Sequence, residues 1–331
     1  MGRAPARAVS RFALGAFLAF LALPAAAEVG LTLKKSFIEK YKNRLTIETK
    51  FIVDAAHKNP NPANKDADLH IAGRPGSEIG LVTVGEIQNA KEATEALQFI
   101  RQNTGTNVPA RFVGVWRVWF EHSGGTDQVQ GKPLTKSKST NPDHVFEIHP
   151  VTRINDIDLL GTLRFIEGYT KPDNTDARIR MVESLRGSIR VKGQKVTIQR
   201  KGGNDPNYIA FVMKLLPGNH GFQKSDKTWT QPQDGKFVFA AIYDLEEDEL
   251  LVRKRRVGFV AGSEPFQKLA TMMPNECLKV LGITRINLEL VSWRVKNKKQ
   301  RPDALAWDLP YELIAVGTKG DKFKCAEEED E

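Results

Sequence analysis

Between residues 44 and 154 the spacing of apolar side chains switches from two to a helical repeat and back, once. Leu45, Ile47, Phe51 and Val53 share one parity, with Arg44, Thr46, Glu48 and Lys50 between them. That pattern predicts a half-buried strand. In Asp68–Ala72, Leu69 and Ile71 face one way and Asp68 and His70 the other. Ile79–Ile87 reads as a third strand, rich in β-branched residues. Over Asn89–Gln102, Ala93, Ala96, Leu97 and Ile100 fall at helical spacing, with Asn89 as the expected N-cap. Strands resume at Arg111–His122 and His144–Ile154. Three strands, a helix and two strands is the order of an OB-fold, a small Greek-key barrel. Another small α+β sheet is the alternative.

The chain has 331 residues, enough for about two domains. The second half predicts a helix at Ala177–Leu185 and strands at Ser188–Lys201, Tyr208–Leu216, Lys236–Tyr243 and Leu251–Val260. A helix capped by Ser263 follows, then strands at Lys279–Val295 and Pro310–Gly317. Val115-Trp116-Arg117-Val118 parallels Ser292-Trp293-Arg294-Val295, and Phe146-Glu147-Ile148 parallels Tyr311-Glu312-Leu313. These parallels suggest a divergent repeat of the first barrel. The expected fold class is mainly β with short helices: an N-terminal five-stranded OB-like barrel and a second β-rich domain, OB-like if the repeat is real. The expected divisions are 1–27, a leader; 28–155, the first barrel; 156–187, a connector; 188–320, the second domain; and 321–331, an acidic tail.

The leader expectation rests on Arg3, Arg7 and Arg11, the apolar run from Phe12 to Leu23, and Ala25-Ala26-Ala27. A dozen apolar residues is too short to span a bilayer and fits a signal peptide cut before Glu28, with no membrane span left after cleavage. Cleavage would lower the charge from +9 to +6, because the leader carries three arginines and no acid. The five acidic residues at 327–331 mask a body of +11. Export predicts a periplasmic or secreted location. In such an oxidising compartment, the only two cysteines, Cys277 and Cys325, are expected to form one disulfide. Loop entropy values it at about 4 kcal/mol.

Familiar catalytic motifs are absent. Gly125–Lys132 is one residue too long for a phosphate loop, and Pro133 replaces the hydroxyl residue. Asp156 and Asp158 begin a calcium-like spacing that Leu160 breaks. The histidines are more informative. Asp68-Leu69-His70 and Glu147-Ile148-His149 each place an acid and a histidine on one face of a strand. Glu121, His122 and His144 add polar groups at the mouth of the loop between strands four and five. Imidazole with carboxylate suits a divalent metal or acid–base chemistry. Solvated or hydrogen-bonded structural residues are the competing reading, since with Leu69, Ile71, Phe146 and Ile148 in the core these groups point outward.

Trp119 lies opposite the core parity of Trp116, beside Arg117, where it could stack a base or sugar or pack beneath a neighbouring domain. OB-folds take ligands across strands two and three, between the 1–2 and 4–5 loops, here Ala55–Asp66 and Ser123–Asp143. The basic runs Arg253–Arg256 and Arg294–Arg301 fit either phosphate contact or edge-strand protection.

At Asp68-Leu69-His70-Ile71-Ala72 and Glu147-Ile148-His149-Pro150-Val151 the chain resembles a set of uncharacterised exported bacterial proteins. These carry a D-x-H strand and later an E-x-H-P-V strand in an OB-like domain. The resemblance spans residues 40–155 and implies export and ligand binding, with no activity to transfer.

The leading functional expectation is an exported, non-enzymatic module that binds an anionic or sugar-like ligand, a glycan, an envelope polymer or extracellular nucleic acid, at the 1–2 and 4–5 loops. Its expected ligand-binding residues are Asp68, His70, Arg117, Trp119, Glu147 and His149. No cofactor is specified. A metal-assisted phosphodiester hydrolase is the alternative and requires a His–carboxylate set to converge. A structural envelope protein is the third reading.

Overall fold

The computed structural model describes residues 28–201, 205–216, 234–246, 249–273, 276–297 and 307–325. Residues 1–27, expected to be a leader, and residues 327–331 lie outside them. The described chain opens with β1 (Glu28–Lys34) and α1 (Lys35–Tyr41). Next come β2 (Thr46–Ala56), β3 (Leu69–Pro75) and β4 (Thr83–Ile87), then α2 (Thr94–Asn103). β5 (Pro109–Val118), a short β6 (Gln128–Val129) and β7 (Phe146–Ile154) follow. β2 pairs antiparallel with β3 and β5, β3 with β4, and β5 with β7. β4 then meets β7 in parallel, Val84 opposite Glu147, which closes a five-stranded barrel. That connection is the OB order expected from the sequence. Asn89 does not cap the helix: it sits in the left-handed region and its side-chain amide donates to Thr162 O and Arg164 O.

The second half repeats the plan. After β8 (Ile157–Asp158), α3 (Thr175–Ser184), β9 (Arg186–Lys192) and β10 (Lys195–Lys201), a second barrel forms. It comprises β11 (Tyr208–Leu215), β12 (Gly235–Tyr243), β13 (Leu250–Val260), α4 (Glu264–Ala270) and β14 (Glu276–Ile286). α5 (Leu288–Lys296), β15 (Trp307–Asp308) and β16 (Tyr311–Lys324) complete the chain. β11 pairs with β12 and β14, β12 with β13, and β14 with β16, while β13 and β16 run parallel. Strand for strand this is the first barrel's pairing, again with a helix before the fourth strand.

Two strand expectations are corrected. Ser188–Lys201 is not a strand of the second barrel. It is the β9–β10 hairpin, turned at Gly193, and it joins β1, β6 and β15 in a third sheet. Lys279–Val295 is not one strand either: Asn287 caps α5 by accepting from Leu290 N, so Trp293 lies on an exposed helix face. Trp293 therefore has no kinship with Trp116. The repeat is carried instead by Gly114-Val115-Trp116-Arg117 and Gly282-Ile283-Thr284-Arg285. In register Arg117 faces Glu147, and Arg285 faces Glu312.

Each barrel fills its interior with one strand parity, for example Phe51 stacked on Phe112 at 4.6 Å in the first and Phe211 and Phe259 in the second. The opposite parity, joined by Leu45 just before β2, forms a second apolar cluster that includes Val115, Tyr208, Ile283 and Ile314. This cluster is the seam where the barrels meet. Its polar frame is reciprocal. Arg117 Nε donates to Thr284 O at 2.9 Å, and Arg285 Nη1 donates to Trp116 O at 3.0 Å. Arg285 also donates to Leu45 O and Arg44 O and lies 3.6 Å over the Trp116 ring. Each buried guanidinium is thus paired by its own barrel's glutamate and anchored on the other barrel's backbone.

Cys277 and Cys325 form the expected disulfide, with Cα atoms 5.1 Å apart, fastening the end of β16 to the start of β14. Among the described residues no helix is long and apolar enough to cross a membrane.

A candidate metal centre in the seam

Parity placed Asp68, His70, Glu147 and His149 outside the first barrel, and they are outside it. They are nevertheless buried, because the second barrel covers that face. Glu86 of β4 lies opposite His70 of β3 and joins them. Tyr208 arrives from β11 of the second barrel. Glu121 and His122 follow β5, and His144 precedes β7.

Each group has a definable role. Tyr208 donates its hydroxyl proton to Asp68 Oδ2 at 2.8 Å. Its oxygen can then only accept, so His149 Nε2, at 2.8 Å, carries the hydrogen. In the neutral ring, His149 Nδ1 then keeps its lone pair, 3.2 Å from Glu86 Oε2 and 3.5 Å from Glu147 Oε2. The Nδ1–Glu86 approach fails hydrogen-bond geometry, and among the described residues both Glu86 oxygens, Asp68 Oδ1 and His149 Nδ1 have no hydrogen-bond partner. His144 differs. Its Nδ1 meets Pro142 O at 2.6 Å and its Nε2 meets Glu147 Oε1 at 3.2 Å, so it holds Glu147 in place and offers no lone pair. Arg117 braces Glu147 and reaches Glu121 Oε2 at 3.2 Å.

The electrostatics follow from burial. Desolvation pushes Glu86 up to about 7 and Glu121 up to about 8, and raises Asp68 well above the usual range. Burial also opposes ionisation of Glu147, but Arg117 and His144 outweigh it and hold that carboxyl well below its usual range. Burial lowers His70 and takes His122 down to about 4, so both offer neutral imidazoles. Burial works against His144 too, but its bond to Glu147 raises it. Four carboxylates therefore face one guanidinium in a nearly closed space, and three of them stay neutral only by holding protons.

Two sets of ligand atoms converge, each within 4.8 Å: Asp68, Glu86 and His149, and Glu86, His122 and Glu147. Ligands bonded at about 2.0–2.2 Å to one ion lie up to about 4.4 Å apart, so small side-chain movements suffice. His70 stands 3.7 Å from Glu86 Oε1, stacked on His57, with neither ring nitrogen hydrogen-bonded.

Of the six residues expected from sequence to bind ligand, Asp68, His70, Glu147 and His149 come together here. Arg117 is a brace within the seam. Trp119 is buried, 1% exposed, and presents no stacking face to solvent. A polymer could not touch the six without parting the barrels. Sequence reasoning missed Glu86, although it is the only charge in Ile79–Ile87. Tyr208 had no local signal. The second barrel keeps the Arg–Glu frame but not the centre. Ile314 stands in the place of His149, and Gly258 in that of Glu86, where an added Cβ would lie 2.4 Å from Leu45.

A cleft of about 780 Å³ opens beside the centre, lined by Glu121, Tyr169, Lys65, Lys171, Arg178 and Asp205 among others. Glu121 contacts Arg117 of the centre, and the Tyr169 ring packs edge-on to Tyr208. No protein-family model matches the chain, and no curated protein or solved structure matches it.

Proposed function

We propose that this is an exported metal-binding protein that holds a divalent first-row transition ion in the seam between its barrels. The observation that carries the reading is the set of buried, hydrogen-bond-free ligand atoms on Asp68, Glu86 and His149. An unpaired buried polar group costs about 1–3 kcal/mol, and more if charged. A cation satisfies all of them at once. Mixed imidazole and carboxylate donors favour zinc, manganese or iron over calcium or magnesium. Tyr208 supports the reading as an outer-shell partner that fixes the tautomer of His149. The disulfide fits an oxidising compartment, and we place the protein in the periplasm or outside the cell.

Metal analysis of the mature chain, purified without chelator from an oxidising compartment, tests the proposal. At least one equivalent of zinc or manganese is expected, lost in Asp68→Asn and His149→Ala. A metal-free protein that also fails to take up either ion at 100 μM would overturn it.

The cleft favours a second reading, in which an anionic or sugar-like ligand binds at Lys65, Lys171 and Arg178. It predicts retention on heparin that falls with salt and is reduced by Arg178→Ala. Absence of retention at low salt would remove the polyanion form.

A further inference from the structure

We infer that the centre holds two ions bridged by the Glu86 carboxylate, an inference that rests on the metal-binding reading above. The two converging ligand sets share Glu86 and no other residue. Both Glu86 oxygens are fully buried and without hydrogen bonds. Oε2 faces His149 of the inner set at 3.2 Å, while Oε1 faces His70, a member of neither set, at 3.7 Å, so the two oxygens have different neighbours. A single ion bound through one oxygen would leave the other unsatisfied in a closed, low-dielectric space. Bridging satisfies both, and carboxylate-bridged pairs in proteins sit about 3.5–4 Å apart.

The two positions differ in access. The inner ion, on Asp68, Glu86 and His149, is enclosed by buried residues. The outer ion, on Glu86, His122 and Glu147, has one ligand at the surface: the His122 side chain is 27% exposed. Glu147 can serve although both its oxygens accept hydrogen bonds, because each carboxylate oxygen has a second lone pair. Three protein ligands leave a coordination position open, as in sites where a metal exchanges water or substrate. Two divalent ions would also bring more positive charge than the carboxylates balance alongside Arg117. The outer ion's open position therefore calls for an anion, a hydroxide or a small oxyanion, and the cleft at Glu121 gives it a route.

The test uses the full mature chain, stripped with chelator and reloaded with Mn²⁺, read by metal analysis and electron paramagnetic resonance. The expected result is two Mn²⁺ per chain with an exchange-coupled spectrum. His122→Ala should fall to one ion with an uncoupled six-line spectrum, and that retained ion shows that the variant is folded. Glu86→Gln, which removes the ligand common to both sets, should lose the bound Mn²⁺ and the coupling with it. One ion per chain in the wild type, two uncoupled ions, or a coupled spectrum surviving in His122→Ala would each overturn the bridge. Of these, one ion would leave the metal-binding reading standing, whereas no ion at all would remove both.

Discussion

Replacing Glu86 by Gln should make the metal-free protein more stable and at the same time blind to metal. Glu86 is fully buried, and its pKa of about 7 compares with 4.5 in an unfolded chain. Its folded value is raised, so the folded state holds the proton more tightly. Apo stability therefore falls as pH rises from about 4.5 to about 7 and stays low above that. By linkage at 1.36 kcal/mol per pH unit, the penalty at pH 7 is about 3 kcal/mol. Gln is neutral throughout, and its amide can donate to His149 Nδ1, which otherwise has no partner. For roughly 300 residues unfolding together, with an entropy of about 2.1 cal/mol/K per residue, 3 kcal/mol is about 5 °C. Scanning calorimetry in chelator at pH 7.5 should thus show the variant melting about 5 °C above wild type. At pH 4.5 the gap should close. With Zn²⁺ at a thousand times its dissociation constant the wild type should gain about 4 kcal/mol and overtake a variant that gains nothing. A variant that melts lower than wild type in chelator, and is still stabilised by Zn²⁺, would refute the argument.

Three further expectations can be checked independently. Arg285→Ala should cost about 3–5 kcal/mol in urea unfolding, because it strips Glu312 of a buried partner and removes three anchors on the first barrel; Arg285→Lys should recover only part of it. Loss of the disulfide in Cys325→Ser should cost about 4 kcal/mol for a 48-residue separation while leaving metal stoichiometry unchanged. Glu39 gives an acid-limb test. Burial raises its pKa, but bonds from Ser292, Lys42 and Lys296 outweigh that and bring it to about 2. Its contribution is present above about pH 4.5 and lost as pH falls toward 2, so Glu39→Gln should flatten the stability profile between those values.

The first barrel was legible because each of its strands carries its own period-two signal and its helix interrupts them once. The parity of Asp68, His70, Glu147 and His149 was legible for the same reason. Their burial was not, because what meets Asp68 and His149 is Tyr208, brought in from the second barrel. Tyr208 meets Asp68 across 140 residues of sequence, and no local pattern encodes a contact of that range. The repeat was half visible. Glu147 and Glu312 matched correctly, but the shared Trp-Arg pair drew the eye to Trp293. The true counterpart of Arg117, Arg285, sits in a strand with Thr284 where Trp116 stands. Identity of a conspicuous side chain misled where the small-residue spacing before the arginine did not. Charge alone could not place Glu86 in the buried cluster, since a single acid in an apolar strand also fits an edge position.

The reciprocal arginines have a consequence for when the centre comes into being. Every proposed ligand belongs to the first half of the chain, yet Tyr208, which sets the tautomer of His149, belongs to the second. A nascent chain that has completed only its first barrel would leave these side chains hydrated and wrongly protonated. If the polypeptide is exported unfolded, the centre assembles only once its last strands have crossed. Under the proposed metal-binding reading, the ion is then decided by what is plentiful where folding ends, not where translation begins.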